Sequence, residues 1–270
     1  MSASLKYTAL VAGALLAGSL ASALPANATV LDFNSVTTGS TDAAGVWYTD
    51  RYAPAGFSSV PFDGDNRLAL TVSSSDYQSN LFYDTQGRAY DLDAGTQYLS
   101  VQLYVTQAMI DSPNRITGLW GQAADPNNTP VIELANGNFR GWDEVNGVWS
   151  SSVAVSAADR WYTLSIYHDT GAGLFDYYID GALFGSVGDS GAVDLVHAIL
   201  QGENGLLPGP SSSTGDGTGT NGTYYYDNLT YAPVAATPLP ATLPLFLTGA
   251  GVMGLVARKR RKNRAAAAAA

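Results

Sequence analysis

The chain contains no cysteine among its 270 residues, which excludes disulfides, thiolate metal sites and a cysteine nucleophile. Lysine is absent between Lys6 and Lys259, and residues 29–232 contain only six arginines against 23 acidic residues, a net charge of about −17. Such a surface repels phosphate backbones, so the composition argues against nucleic-acid binding. It is typical of a protein kept soluble outside the cell or of one that binds divalent cations.

Residues 1–28 have the pattern of a secretory signal peptide, which predicts an N-terminal signal helix. Lys6 supplies a positive start, an apolar run extends from Tyr7 to Leu20, and Ala26-Asn27-Ala28 is a small-residue cleavage site. Ala21-Ser22-Ala23 satisfies the same rule, and a buried helix or a membrane anchor is the alternative to a signal peptide. We expect export and a mature chain that begins near Thr29.

Residues 233–270 form a second segment that we place outside the folded domain. Its uncharged part, about 241–257 with the residues before it, is long enough for a transmembrane helix. A basic end at 258–264 follows and would stay in the cytoplasm by the positive-inside rule. The pattern predicts membrane anchoring by the C-terminus, transient or permanent.

The entry to this segment reads Pro238-Leu239-Pro240-Ala241, followed by Leu243-Pro244-Leu245, a glycine-punctuated run and the basic cluster. In this order the segment resembles the PEP-CTERM sorting tail, in the variant whose motif is Val-Pro-Leu-Pro-Ala, with Thr237 in the place of Val. The resemblance implies an exosortase-type processing enzyme as partner, cleavage near Pro238 to Ala241, and delivery to the cell surface or extracellular matrix. An ordinary single-pass anchor is the alternative.

Residues 29–232 show the period-two alternation of β-strands, and no helix is predicted there. Leu99, Val101, Leu103 and Val105 fall on one face of a strand, and Tyr162, Leu164 and Ile166 repeat this pattern. Because no linker divides the segment, we expect one antiparallel β-sandwich. Further strands are predicted at Val30–Phe33, Arg67–Val72, Asn80–Tyr83, Ile116–Trp120, Val131–Leu134, Asn138–Trp142, Leu174–Ile179, Leu183–Val187, Val193–Leu200 and Thr223–Tyr231.

Three stretches of this domain are similar to concanavalin A-like jelly rolls of the laminin-G and lectin type. They are the strand Arg160–Ile166, the hairpin Phe175–Gly185 with Asp180-Gly181 at its turn, and the final strand Tyr225–Thr230. The resemblance implies a jelly-roll sandwich, an architecture that hosts both hydrolases and non-catalytic binders. Within the first stretch, Trp161 is assigned to the core.

The sequence contains no recognisable pattern of catalytic groups. Glycosidases need two carboxyl groups across a sugar bond, and the catalytic members of the superfamily that the chain resembles carry a Glu-x-Asp-x-Glu strand. The three glutamates, Glu133, Glu144 and Glu203, fit no such pattern and are interpreted as solvated or turn carboxylates. His168 and His197 each stand alone on a strand, and no Ser lies in a G-x-S-x-G elbow. The sequence therefore predicts that the protein is not an enzyme.

Oxygen-rich loops make a structural Ca²⁺ the one candidate cofactor, although none is required. Asp63, Asp65 and Asn66 lie within four residues, and carboxylates so spaced suit calcium. Asp32 and Asp227 are a second candidate pair, on the first and last strands, where the resemblance implies a calcium site. Ordinary turn formation by Asp and Asn is the alternative.

A candidate sugar-binding cluster lies in the middle of the domain, because sugars stack on exposed aromatic rings that have polar groups around them. Alternation places Trp142 on the same face as Arg140. Burial of the tryptophans between the sheets is the alternative. The cluster comprises Trp120, Arg140, Trp142, Asp143 and Trp149.

From the sequence we therefore expect a non-catalytic, exported cell-surface or matrix protein that binds extracellular polysaccharide through a β-sandwich. Two alternatives remain open: a glycan-degrading hydrolase of the same fold, and a structural adhesin without a ligand.

Overall fold

The computed structural model describes residues 27–40, 43–73, 85–191, 194–206 and 221–233. The predicted sorting motif, the membrane segment and all but the last two residues of the predicted signal peptide lie outside these ranges, as does the predicted strand Asn80–Tyr83. Within these ranges, no helix is long and apolar enough to cross a membrane.

The described residues form two eight-stranded sheets, so the prediction of an all-β sandwich is confirmed. A five-residue helix that the sequence analysis missed, α1 (Gln107–Asp111), follows β7 and is capped by Thr106. The strands are β1 (Thr29–Leu31), β2 (Thr38–Gly39), β3 (Trp47–Thr49), β4 (Gly56–Phe62), β5 (Asp65–Val72), β6 (Thr85–Asp91), β7 (Tyr98–Val105), β8 (Asn114–Ala123), β9 (Val131–Ala135), β10 (Asn138–Asp143), β11 (Val148–Ala154), β12 (Arg160–Asp169), β13 (Leu174–Ile179), β14 (Ala182–Gly188), β15 (Leu195–Leu206) and β16 (Gly222–Ala232).

The first sheet has the order β14-β13-β12-β7-β16-β5-β4, with β1 paired to β16. The second sheet has the order β11-β10-β9-β8-β15-β6-β3-β2. The named strands pair antiparallel except β2 with β3. Because strands that are neighbours in a sheet are often distant in sequence, the chain passes repeatedly between the layers in a jelly-roll-like path.

The core lies between the two sheets and follows the predicted alternation. Leu99, Val101, Leu103 and Val105 of β7 are fully buried, as are Leu164 and Ile166 of β12. The assignment of Trp161 to this core is wrong, because Trp161 precedes the inward-facing Tyr162 and therefore points outward. Its ring lies 5.4 Å from that of Tyr104, and its Nε1 donates to Asp63 at 2.8 Å.

The turn predicted at Asp180-Gly181 is confirmed between β13 and β14. Asp180 has φ 50° and Gly181 φ 77°, the positive values that a two-residue hairpin turn of this type requires. Asp180 also accepts a hydrogen bond from Thr163 N at 2.9 Å, which ties the turn to β12.

Two fully buried tyrosines of the first sheet donate hydrogen bonds to the backbone of the second. Tyr177 Oη donates to Trp142 O at 2.7 Å, and Tyr226 Oη donates to Gly118 O at 3.0 Å and also contacts Thr117 Oγ1. Burial raises the pKa of both phenols, so they stay neutral donors. The ring of Tyr177 also explains Gly141, where a Cβ would lie 2.5 Å from Tyr177 Cδ2.

Replacing Tyr226 by Phe should lower the free energy of unfolding by about 1–3 kcal/mol, because the buried carbonyl of Gly118 loses this donor. The measurement is urea denaturation of the wild type and Y226F. Y225F is the matched control, since Tyr225 stacks on Phe62 outside the core at a centroid distance of 3.7 Å and should lose little. Equal losses in the two variants would contradict the role given to the buried hydroxyl.

Candidate functional site

The second sheet has an outer face, formed by the residues that alternate with the core residues on each strand. An apolar row crosses this face from strand to strand in hydrogen-bonded register. It continues into Trp142 and Trp149, which are partners across β10 and β11. We call it the aromatic row, and it consists of Tyr48, Ala89, Ile199, Trp120, Val131, Trp142 and Trp149.

A second row, two residues along each strand, is polar and rich in glycine. Asp50 N donates to Gly87 O at 3.3 Å at one end of this row. From Gly87, successive backbone pairs across the neighbouring strands lead to Arg140 at the other end of the row. We call it the polar row, and it consists of Asp50, Gly87, Gln201, Gly118, Glu133 and Arg140.

Glu133 is held by two arginines in the polar row and is fully buried. Its Oε1 accepts from Arg115 Nε at 2.7 Å, and its Oε2 accepts from Arg140 Nη2 at 2.9 Å and Nε at 3.2 Å. The Arg140 guanidinium lies 3.9 Å from the ring centroid of Trp149. The interpretation of Glu133 as a solvated or turn carboxylate is therefore wrong, because these partners cover it within β9.

Gln201 lies in the polar row between Gly87 and Gly118 and is fully buried. Neither polar atom of its side-chain amide has a hydrogen-bond partner among the described residues. Neither glycine position has room for a Cβ. At Gly87 a Cβ would lie 2.5 Å from Gln201 Cβ, and at Gly118 it would lie 2.0 Å from Ile132 O. The amide is thus flanked by bare backbone on both neighbouring strands.

Asp50 provides a carboxyl group with an unusual environment at the other end of the polar row. Burial raises the pKa of Asp50 above the ordinary value of 3.8, and electrostatic interactions with Arg51 and His197 oppose this rise. Asp50 Oδ2 lies 3.8 Å from Arg51 Nη1 and has no hydrogen-bond partner within the described ranges. The Arg51 guanidinium lies 5.0 Å from the ring centroid of Trp120.

Asp91 lies on the opposite side of the aromatic row from Asp50, because Tyr48 of that row pairs with Ala89. Asp91 Oδ1 accepts from Tyr48 Oη at 2.9 Å and lies 3.3 Å from His197 Nε2. His197 Nδ1 lies 2.9 Å from Gln122 Oε1. His197 therefore belongs to a polar network and does not stand alone.

The second histidine, His168, is also paired, with Asp189 Oδ2 2.9 Å from its Nε2. It is fully buried and its ring lies 4.5 Å from that of Phe175. Each histidine is thus the one histidine of its strand but has a partner from elsewhere in the chain, and His168 lies in the first sheet, away from the two rows.

Four of the five residues predicted to bind a ligand lie together on the outer face. Trp120, Trp142 and Trp149 are in the aromatic row, so their burial between the sheets is ruled out, and Arg140 is in the polar row. Asp143 is instead buried at the end of β10 and closes the β10–β11 turn. It accepts hydrogen bonds from Asn146 N at 3.1 Å and from Asn146 Nδ2 at 2.8 Å.

Sequence reasoning did not assign Asp50, Asp91 and Gln201 to this face, and they come from three different parts of the chain. No local spacing connects residues so distant in sequence. The signal that was available is the glutamate inside the apolar strand Val131–Ala135, since a charge in a buried strand requires a partner.

The residues predicted to bind calcium have other partners. Asp32 accepts from Asn34 N at 3.0 Å and Nδ2 at 2.7 Å, and Asp63 accepts from Trp161. Arg67 pairs with Asp65 at 3.0 Å and with Asp227 at 2.6 Å, and Asn66 N donates to Asp65 at 2.8 Å.

Burial raises the pKa of Asp227, although Arg67 opposes this. Across the described ranges, no group of three or more carboxylate or histidine side chains could hold a metal. The β4–β5 turn, Pro61 to Asn66, lines a shallow cavity of about 420 Å³. A structural Ca²⁺ stays a prediction.

The fold is shared with solved glycoside hydrolase structures. One is described as a native glycosidic hydrolase, with 13% identity over 79% of this chain and 99% of that chain, at a TM-score of 0.50. A prokaryotic β-1,3-1,4-glucanase (lichenase) derived from a mouse hindgut metagenome matches with 15% identity over 77% and 100%, at a TM-score of 0.50. A non-specific endo-β-1,3(4)-glucanase from family GH16, SCLam, matches with 13% identity over 78% and 94%, also at 0.50.

Neither a protein-family model nor a curated protein matches the sequence. At such identities the structural likeness establishes the fold. It also contradicts the predictions that the protein is a non-catalytic surface or matrix protein and is not an enzyme, because these neighbours are described as hydrolases. The missing Glu-x-Asp-x-Glu strand misled that interpretation, since the outer face carries carboxyl groups from separate strands.

The raised pKa of Asp50 makes a prediction for stability against pH. The folded protein binds more protons at Asp50 than the unfolded chain does between the unfolded pKa near 3.8 and the higher folded pKa. The free energy of unfolding therefore falls as pH rises through this window. D50N removes this loss, so its stability relative to the wild type should rise from pH 3.5 upward and level off above the folded pKa.

Chemical denaturation from pH 3.5 to 7 measures this difference. D111N is the matched control, because Asp111 is exposed on α1 and its pH dependence should follow the wild type. A constant difference between D50N and wild type at all pH values would contradict the assignment.

Proposed function

We propose that the protein is a glycan-degrading hydrolase whose active site lies on the outer face of the second sheet. The observation that carries the proposal is the aromatic row with one carboxyl group on each side of it, Asp50 and Asp91. Rings in a row across the strands suit the stacked sugars of a polysaccharide. The hydrolase descriptions of the structural neighbours support the same class of reaction.

In this proposal Asp50 is the general acid. A glycosidase acid must be protonated near the working pH, and burial raises the pKa of Asp50 in that direction. Its Oδ2 is buried and has no hydrogen-bond partner in the described part of the chain, so no protein group competes for the proton of the neutral acid.

Asp91 is the proposed base, held by Tyr48 and His197. Asp50 pairs with Gly87 of β6, and Asp91 lies four residues further along that strand, roughly 13 Å at the backbone. A sugar and a water molecule fit between the two carboxyl groups if both side chains lean inward over Tyr48. Inverting glycosidases need this arrangement, with about 6.5–9.5 Å between the carboxyl groups.

Activity on polysaccharides tests the proposal. Release of reducing ends should be measured for the wild type, D50N and D91N, and both variants should lose about 10²- to 10⁴-fold in kcat because each removes a proton-transfer group. W120A should raise KM more than it lowers kcat, because the ring binds substrate and reacting state alike.

The exposed variant D111N controls for generic effects and should retain full activity. E203Q is measured beside it. Glu203 is the one glutamate of β15, where it pairs with Thr85 at the backbone. Full activity of both D50N and D91N would overturn the assignment. Absence of hydrolysis by folded wild type across neutral and acidic polysaccharides would overturn the proposed function.

We also propose that the enzyme is exported and carries an exosortase-type sorting tail. The support is the sequence alone: the signal pattern before Thr29 and the ordered motif from Pro238 to Ala241 with the basic end behind it.

Intact mass spectrometry from a host with and without the exosortase-type enzyme tests the sorting proposal. A mature chain ending near 238–241 is expected only when that enzyme is present. An unchanged C-terminus in both strains, with the protein in the membrane, would instead favour an ordinary anchor.

A further inference from the structure

The β4–β5 turn forms a shallow depression at the edge of the first sheet. Its lining runs from Pro61 to Asn66, and its volume is about 420 Å³. Asp63 at φ 51° and Gly64 at φ 85° have the positive values of a two-residue hairpin turn, so the turn type fixes the backbone here. A Cβ at Gly64 would have no neighbour within 4 Å. The depression is therefore open above this backbone.

Four aromatic rings meet beside this turn, on the outer face of the first sheet. Trp161 and Tyr104 are partners across β12 and β7, and Tyr225 alternates with the core residues of β16. Phe62, at the end of β4, stacks on Tyr225 with the ring centroids 3.7 Å apart. Its centroid also lies 5.0 Å from that of Tyr104 and 6.3 Å from that of Trp161. All four rings are only half-buried, on the side of the sandwich opposite to the aromatic row.

Polar groups with unused hydrogen-bonding capacity border these rings. Asp63 is exposed, and only its Oδ2 has a partner among the described residues, Trp161 Nε1 at 2.8 Å. In the same part of the chain, no hydrogen bond uses the side-chain amide of Asn66 or the hydroxyl of Tyr104. An apolar surface with both acceptors and donors at its border suits a sugar, which has apolar ring faces and hydroxyl groups around them.

The charge of this region decides the class of sugar. The two arginines nearest to these rings in sequence are already paired with aspartates: Arg67 with Asp65 at 3.0 Å and Asp227 at 2.6 Å, and Arg160 with Asp180. Asp63 has no basic partner in the described ranges and adds an unbalanced negative charge. A polyanion is repelled here, whereas the hydroxyl of a neutral sugar donates to a carboxylate.

The size of the depression fits a sugar unit and not a protein partner. Sites for small molecules typically enclose about 300–1,000 Å³, a range that includes this depression. A stable protein interface buries roughly 800 Å² on each partner, which is more than a six-residue turn provides.

We propose that the β4–β5 turn is a second glycan-binding site, which takes one unit of a neutral polysaccharide chain. The sugar ring packs on Pro61 and Phe62, and its hydroxyl groups donate to Asp63 and accept from the Asn66 amide. The site lies on the other sheet from the aromatic row and does not depend on the proposed hydrolysis. In a polymer-degrading enzyme it would raise the local concentration of chain near the protein.

Affinity electrophoresis at 4 °C, where cleavage is slowed, tests the class of ligand. The probes are the neutral polymers lichenan and xylan, the polyanion polygalacturonate and the polycation glycol chitosan. Wild type should bind at least one neutral polymer more tightly than either charged one. Its affinity should change less than about twofold between roughly 0.05 and 0.5 M NaCl, because a neutral ligand has no charge to screen.

Two variants test the named residues. F62A removes an apolar contact with the sugar ring and should weaken binding about three- to tenfold. N66A removes a hydrogen bond at an exposed position and should weaken binding about two- to tenfold with Tm unchanged. The matched controls are L183A and N127A, an exposed leucine and an exposed asparagine outside this turn, and both should bind as the wild type does.

W120A separates this site from the aromatic row. If both sites bind the polymer, the losses in N66A and W120A should multiply in the double variant, because distant sites act independently. A loss in N66A without one in W120A would support the second site while the aromatic row failed as a binding site. A loss in W120A alone would overturn the second site and leave the proposed function standing.

Three further outcomes would overturn the inference. One is failure of the wild type to bind either neutral polymer, or unchanged binding by both F62A and N66A. Another is tighter binding of polygalacturonate or glycol chitosan than of both neutral polymers. The third is binding that EDTA abolishes and Ca²⁺ restores, which would assign the Asp63 and Asn66 oxygens to a cation.

Discussion

The outer face depends on two buried hydroxyl groups that lie behind it. Tyr177 and Tyr226 extend from the first sheet and donate to Trp142 O and Gly118 O in the second. Hydrophobic packing between sheets is non-directional and permits sliding, whereas a hydrogen bond to one carbonyl does not. The two carbonyls belong to the aromatic row and the polar row, respectively. The two hydrogen bonds fix the second sheet relative to the first, and the positions of both rows follow from this.

Two glycines of the second sheet follow from the same close packing. Gly141 leaves room for the Tyr177 ring, and Gly118 lies so near Ile132 O that no Cβ fits. At Gly118 the missing side chain also opens the outer face between Gln201 and Glu133. The bare stretch of the outer face therefore results from the close approach of β8 to β9, whereas Gly141 results from the approach of the Tyr177 ring. A residue that satisfies packing on one side thus shapes the site on the other.

Much of the fold could be predicted from the sequence, because alternation is a local property. The core face of β7 and the Asp180-Gly181 hairpin are confirmed, and each is encoded within about ten residues. The outer face was only partly predictable. Trp142 and Arg140 share a strand and were placed together correctly, whereas Asp50 and Asp91 meet the aromatic row only through the strand order β8-β15-β6-β3. Such adjacency requires knowledge of which distant strands pair, and period two contains no information about that.

The absence of a catalytic motif on one strand says little about catalysis, because carboxyl groups from different strands can lie side by side. A motif on one strand places its carboxyl groups about 6.8 Å apart along that strand, two residues at a time. Two carboxyl groups can also lie on neighbouring strands, which are about 4.8 Å apart. Residues paired in this way can be separated by any distance in sequence. An eight-stranded face therefore offers many more cross-strand pairs than single-strand motifs, and the pair proposed here joins Asp50, which follows β3, with Asp91 of β6. The proposed reaction requires two carboxyl groups on opposite sides of a sugar, and strand pairing is one way in which a sheet can supply them.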